Sequence, residues 1–182
     1  MGQFQLNFLM TAATVLLFSA MLVVNDALFL ALEFEPGINW IYLPAGMRLL
    51  CTLLFGGAGA AGLLIVSWLV CFLVFFPDDS VRAFVGGIIA AAAPYLVYLA
   101  ARHLYGLQAS LANLTPRRLL ACVLAYSLAS PLLHHLWFWL HGDGHHLLRS
   151  LGVMVAGDLA GTLIVMYAAK GLLALLARRR AV

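Results

Sequence analysis

Charge is scarce in this chain. Only 9% of its 182 residues are Asp, Glu, Lys or Arg, 65% are hydrophobic, and the mean hydropathy is +1.04. Ordinary soluble domains run near about 25% charged and about 45–50% apolar, so the balance excludes one and describes an integral membrane protein. The formal net charge of +3 rests on few, clustered groups, which leaves no basic surface for nucleic acid. Cysteine is nearly absent too. Cys51, Cys71 and Cys122 lie inside apolar segments, are odd in number and show no CxxC spacing, so neither a disulfide framework nor a zinc knuckle is indicated and they are read as packing residues. Met1 to Asn7 hold no Lys or Arg, and the apolar run behind them exceeds the roughly 7–15 residues of a secretory h-region, so a retained first span is expected. There is no polar stretch long enough for a soluble domain, no low-complexity tract and no obvious internal repeat.

Catalytic signatures are missing as well. The chain offers no GxSxG elbow, no HExxH helix and no paired-aspartate phosphotransfer motif, so an enzyme is not expected. The stretch HHLWFWLHGDGHH, residues 134–146, holds five of the six histidines, yet a metal needs three or four converging ligands, and no HxxxH pair falls on this helix. His141, Asp143, His145 and His146 sit on a glycine-broken turn whose geometry the sequence leaves open; no metal and no cofactor is expected. His134, Trp137 and His141 share one helix face, and His135 points roughly 100° away, so His134 is the inward candidate. Trp137 and Trp139, with Trp40 and Tyr42, suit an interfacial aromatic belt.

What the chain has in abundance is apolar length. A hydrocarbon core about 30 Å thick takes roughly 20 helical residues per crossing, which divides the sequence into six spans: about 8–32, 40–54, 58–76, 81–101, 117–140 and 147–175. The block from Ile38 to Phe76 would be about 58 Å long as one helix, so it must fold back, and the break belongs at Phe55 to Gly62. Pro94 inside the fourth span predicts a kink rather than a stop. Thr115-Pro116 reads as an N-cap followed by proline. Leu104, Leu107, Leu111 and Leu114 leave open a short surface helix or a simple loop over 103–115. Basic residues gather between spans four and five (Arg102, Arg117, Arg118) and after span six (Arg178 to Arg180), while Glu33, Glu35, Asp78, Asp79 and Asp143 occupy the opposite turns. By the positive-inside rule both termini are cytoplasmic. The expected fold is therefore a single all-α, six-helix polytopic bundle over 1–182.

Three charges interrupt the spans: Asp26, Arg48 and Asp158. Each costs roughly 2.5–3.5 kcal/mol near a helix centre on insertion scales, so each is a functional candidate. Counted from the outer ends, Asp26 is about 9 Å deep, Arg48 about 12 Å and Asp158 about 16 Å. Spans one, two and six are thus expected to meet around a polar centre, with His134 at its lip. Asp158 lies within Gly157-Asp-Leu-Ala-Gly161, a small-xxx-small spacing that admits a close helix. A structural ion pair and a ligand pocket both fit this pattern, and the ligand's charge stays open.

Two stretches carry a resemblance. Ile38-Asn-Trp-Ile-Tyr-Leu-Pro-Ala-Gly-Met-Arg-Leu-Leu50 followed by Leu54-Phe-Gly56, and later Val155-Ala-Gly-Asp-Leu-Ala-Gly-Thr-Leu163, resemble the first type of bacterial membrane-associated sensor domain over about 38–174. That family is an integral membrane sensory module, usually joined to cytoplasmic signalling enzymes. The resemblance implies that Trp40, Pro44, Gly46, Gly157, Asp158 and Gly161 are motif positions. It also implies that a chain ending at Val182 acts as a stand-alone module whose signal passes to a separate cytoplasmic partner. A substrate-binding subunit of a membrane transporter is the alternative, and an intramembrane enzyme relying on His134 or Asp158 the second.

Overall fold

The computed structural model describes residues 2–108, 111, 113–142 and 146–180, with the backbone alone over 173–180. Six helices follow in order: α1 Gln3–Phe29, α2 Leu43–Phe55, α3 Gly57–Val70, α4 Ser80–Tyr105, α5 Pro116–Leu140 and α6 Leu147–Arg180. Between α1 and α2 a 3-10 turn, Leu30–Leu32, leads into a small antiparallel hairpin of β1 Glu33–Glu35 and β2 Ile38–Asn39. A wide π turn, Cys71–Phe75, closes α3. Among the described residues, α1 with its turn, α3 with its π turn, α4, α5 and α6 as far as Leu172 are long and apolar enough to cross a membrane. This is the build of a multi-pass helical membrane protein.

The packing is inverted relative to a soluble bundle. On α1 the buried residues are Thr14, Phe18 and Asn25, while Leu16, Val23 and Leu28 are exposed. Apolar side chains point outward where lipid would lie, and small or polar ones mediate helix contact. Gly62 of α3 sits so close to α1 that an added Cβ would come within 2.7 Å of Thr14 Cβ, and Thr11 donates to the Ala58 carbonyl at 3.2 Å. Further along, Trp68 of α3 stacks on Phe84 of α4 and donates from Nε1 to its carbonyl at 3.0 Å.

These contacts and the short connections set the helices alternately up and down. Glu33, Glu35, Asp78 and Asp79 fall at one end, and Arg102, Arg117, Arg118 and Lys170 at the other. At the acidic end Asp79 caps α4, accepting from the Arg82 N–H at 2.9 Å, and meets His141 at 3.6 Å. At the basic end Gly106 ends α4 in the left-handed conformation, so no helix continues there. Leu107, Leu111 and Leu114 of the following connection pack onto the bundle, while residues 109, 110 and 112 lie outside the described set.

Helix α2 begins three residues later than the expected short span over 40–54. It spans 13 residues, about 20 Å at 1.5 Å per residue, and is shorter than the hydrocarbon thickness. It lies in the middle of the bundle with ten of those residues buried. Its N-terminus is delayed because 38–39 pair in the hairpin. Its C-terminus is set by Gly56 at φ +55°, with the Tyr98 hydroxyl 2.7 Å from where a Cβ would be. The turn needs that one residue, so the expected break at 55–62 contracts to Gly56. Pro94 and also Pro131 are accommodated within continuous helices.

Candidate functional site

Helices α2 and α6 touch backbone to backbone along a glycine seam. A Cβ on Gly157 would fall on the Asn39 carbonyl, and one on Gly161 on the Tyr42 carbonyl. A Cβ on Gly46 would come within 2.6 Å of Val165 Cβ. The Tyr42 N–H donates to the Gly157 carbonyl at 3.1 Å. Only residues without side chains allow this approach. Gly46, Gly157 and Gly161 thus meet at one seam beside Asp158, Pro44 is buried on α2, and the Trp40 side chain is half-exposed.

The seam delivers Arg48 and Asp158 to the interior, 7% and 1% exposed. They do not form a direct ion pair: their closest charged atoms stand more than 4.0 Å apart. Between them lie hydroxyls from α5. Tyr126 is close to the guanidinium and Ser130 to the carboxylate, yet neither hydroxyl reaches hydrogen-bonding geometry. Tyr126 Oη, Ser130 Oγ, Asp158 Oδ2, Thr162 Oγ1 and Arg48 Nε are all buried without a partner. Polar atoms in that condition are rare in a native core, and their gathering in one place marks this region as more than filler. The guanidinium lies over two rings, Phe18 at 5.1 Å and Tyr42 at 5.5 Å from Arg48 Cζ to the centroids, a favourable arrangement for a buried cation.

On the acidic side of Arg48 is a cavity of about 40 Å³. The hairpin residues Pro36, Gly37 and Ile38 roof it, Phe75, Phe76 and Phe138 wall it, and Arg48 and His134 supply its ionisable lining together with Tyr42 and Cys71. Arg82 lies over the rings of Phe76 at 4.4 Å and Phe138 at 4.8 Å. Arg149 of α6 lies 5.1 Å from the Phe34 ring, fastening the hairpin. A second groove, about 410 Å³, lies at the basic end among Leu50, Leu119, Met166 and Lys170.

Of the four residues expected at the polar centre, the structure gathers Arg48, Asp158 and His134 but sets Asp26 aside. Asp26 is exposed, and Asn25 turns inward, its Oδ1 accepting from the Leu43 N–H at 2.9 Å. One step along a helix is about 100°, so the two cannot share a face. Asn25 caps α2 across the bundle, satisfying an N–H that Tyr42 leaves unbonded. Its position beside Asp26 in an apolar run was the available signal.

His134 lines the cavity, its Nδ1 2.8 Å from the Ser130 carbonyl. His135, expected to point elsewhere, is the more deeply buried and bridges to α6, with Nε2 3.0 Å from Ser150 Oγ and Nδ1 2.9 Å from the Pro131 carbonyl. Since a carbonyl only accepts, Nδ1 carries a proton, and Ser150 Oγ also donates to the His146 carbonyl at 3.2 Å. In the turn beyond, His141 stacks on Trp137; Asp143 and His145 lie outside the described residues. Comparison of the chain with family models, with curated proteins and with solved structures gives no match.

Proposed function

We infer that the protein is a sensor-like membrane module. Its short α2 makes a sixth crossing, both termini lie at the cytoplasmic basic end, and the acidic end faces outward across a bacterial inner membrane. Charge placement supports the orientation: the basic end carries Arg102, Arg117, Arg118 and Lys170, and no acidic residue lies there among the described residues. The observation that carries the reading is a buried arginine that lines a small cavity beneath the outer hairpin. The meeting of the sensor-like motif glycines Gly46, Gly157 and Gly161 on the α2–α6 seam supports it further.

A ligand in the cavity would press on the first turns of α2. This helix packs against α1, α3, α4, α5 and α6 and ends at the Gly56 turn on the basic side. Displacement there changes the surface offered to a separate cytoplasmic signalling protein, given two packings with different ligand affinity. In-membrane crosslinking from Arg102 and Arg117 positions, followed by identification of the captured protein, tests this. The expected result is a signalling protein whose capture changes in Arg48→Gln and Asp158→Asn. Recovery of an ATPase module would assign the chain to transport instead. Indifference of both capture and cellular phenotype to the two substitutions would end the sensor reading.

A further inference from the structure

We propose that the cavity ligand is a small anion, specifically a one- or two-carbon monocarboxylate held on Arg48. This deepens the sensor reading and rests on it. The charged side chain that lines the cavity is Arg48, while Asp158 is buried behind it and Asp26 is exposed. Arg48 lines the cavity, with the Phe18 and Tyr42 rings 5.1 and 5.5 Å from its Cζ, and the edge of its planar guanidinium carries five N–H donors. A carboxylate accepts from such an edge bidentately, with both charge and direction matched. A cation entering the same space meets Arg48 directly, and two like charges in a low-dielectric site repel strongly.

Size sets the rest of the class. The cavity is about 40 Å³, and a water needs about 10–15 Å³ on that measure, so it admits a group of three or four heavy atoms. Its walls are the rings of Phe75, Phe76 and Phe138, which suit a methyl tail and disfavour a second charge.

Cys71 lines the same cavity and reports on its occupancy. With Cys51 and Cys122 replaced by alanine, Cys71 is the remaining thiol, and its modification by methyl methanethiosulfonate is timed on the full chain in lipid nanodiscs. Sodium acetate is expected to slow the reaction about tenfold at about ten times its Kd, with sodium chloride and methylammonium chloride of equal ionic strength having little effect. Arg48→Lys keeps the charge but loses the bidentate edge, and is expected to need several-fold more acetate for equal protection. Protection by methylammonium, equal protection by chloride, indifference to all three salts, or unchanged acetate protection in Arg48→Lys overturns the proposal while leaving an accessible cavity. A Cys71 that reacts only after unfolding overturns both this proposal and the sensor reading, since the cavity would then be closed.

Discussion

At the scale of single residues, stability of the core turns on where side chains are missing. Gly157 and Gly161 admit the carbonyls of Asn39 and Tyr42, so Gly161→Ala must push α2 away from α6. Overpacking of this kind costs roughly 1–3 kcal/mol, outweighing the gain of about 1 kcal/mol that alanine brings over glycine within a helix. Gly152, on the same helix, has nothing within 4 Å of a would-be Cβ. Thermal melts in detergent are expected to show Gly161→Ala clearly less stable than the parent and Gly152→Ala equal or better. Equal melting of the two variants would remove the seam from the account.

Legibility also differs residue by residue. Arg48 and Asp158 were visible because a charge in an apolar run is costly wherever it points. The choice between Asn25 and Asp26 was not, since α1 is apolar on every face and gives periodicity nothing to register. The pair His134 and His135 shows a subtler limit. The phase argument separated their directions correctly, but both directions are occupied, one by the cavity and the other by Ser150 of α6.

At the scale of elements, the acidic end is tied by an N-cap. The Arg82 N–H beside the Asp79 carboxyl, with His141 assisting, holds its pKa below the usual aspartate range. A carboxylate whose folded pKa is depressed adds stability above its unfolded pKa of about 3.9, and that stability is lost as pH falls through the lower folded value. Asp79→Ala is therefore expected to melt below the parent at about pH 7, with the gap shrinking below about pH 4. A gap that stays constant to about pH 3 would show that the carboxylate charge plays no part.

The elements themselves were legible in proportion to their length. Runs longer than a bilayer thickness announce a crossing, and the observed α1, α4, α5 and α6 fall close to the expected spans. The shortness of α2 was legible because the block from Ile38 to Phe76 is too long for one crossing, whereas the hairpin was hidden because Ile38-Asn39 reads as the start of that apolar block. The glycine turn was foreseen as a region, and only φ at Gly56 narrows it to one residue.

At the scale of the whole molecule, order in the chain and order in space disagree. The short α2 carries Arg48, yet its glycine-seam partner is α6, the final helix of the bundle. Made before that partner, α2 is too short to span a bilayer alone and carries a charge that would cost roughly 2.5–3.5 kcal/mol at mid-membrane. It waits through three further helices for the surface that will enclose it. A chain truncated after Leu140 is expected to retain α1, α4 and α5 in the membrane but to expose the α2–α3 turn region to protease. Supplying residues 141–182 as a separate peptide in the same membrane should restore protection, and protection without that peptide would show that α2 needs no late partner. Assembly then has a last step, in which α6 closes on the glycine seam and takes Arg48 and Asp158 out of reach together.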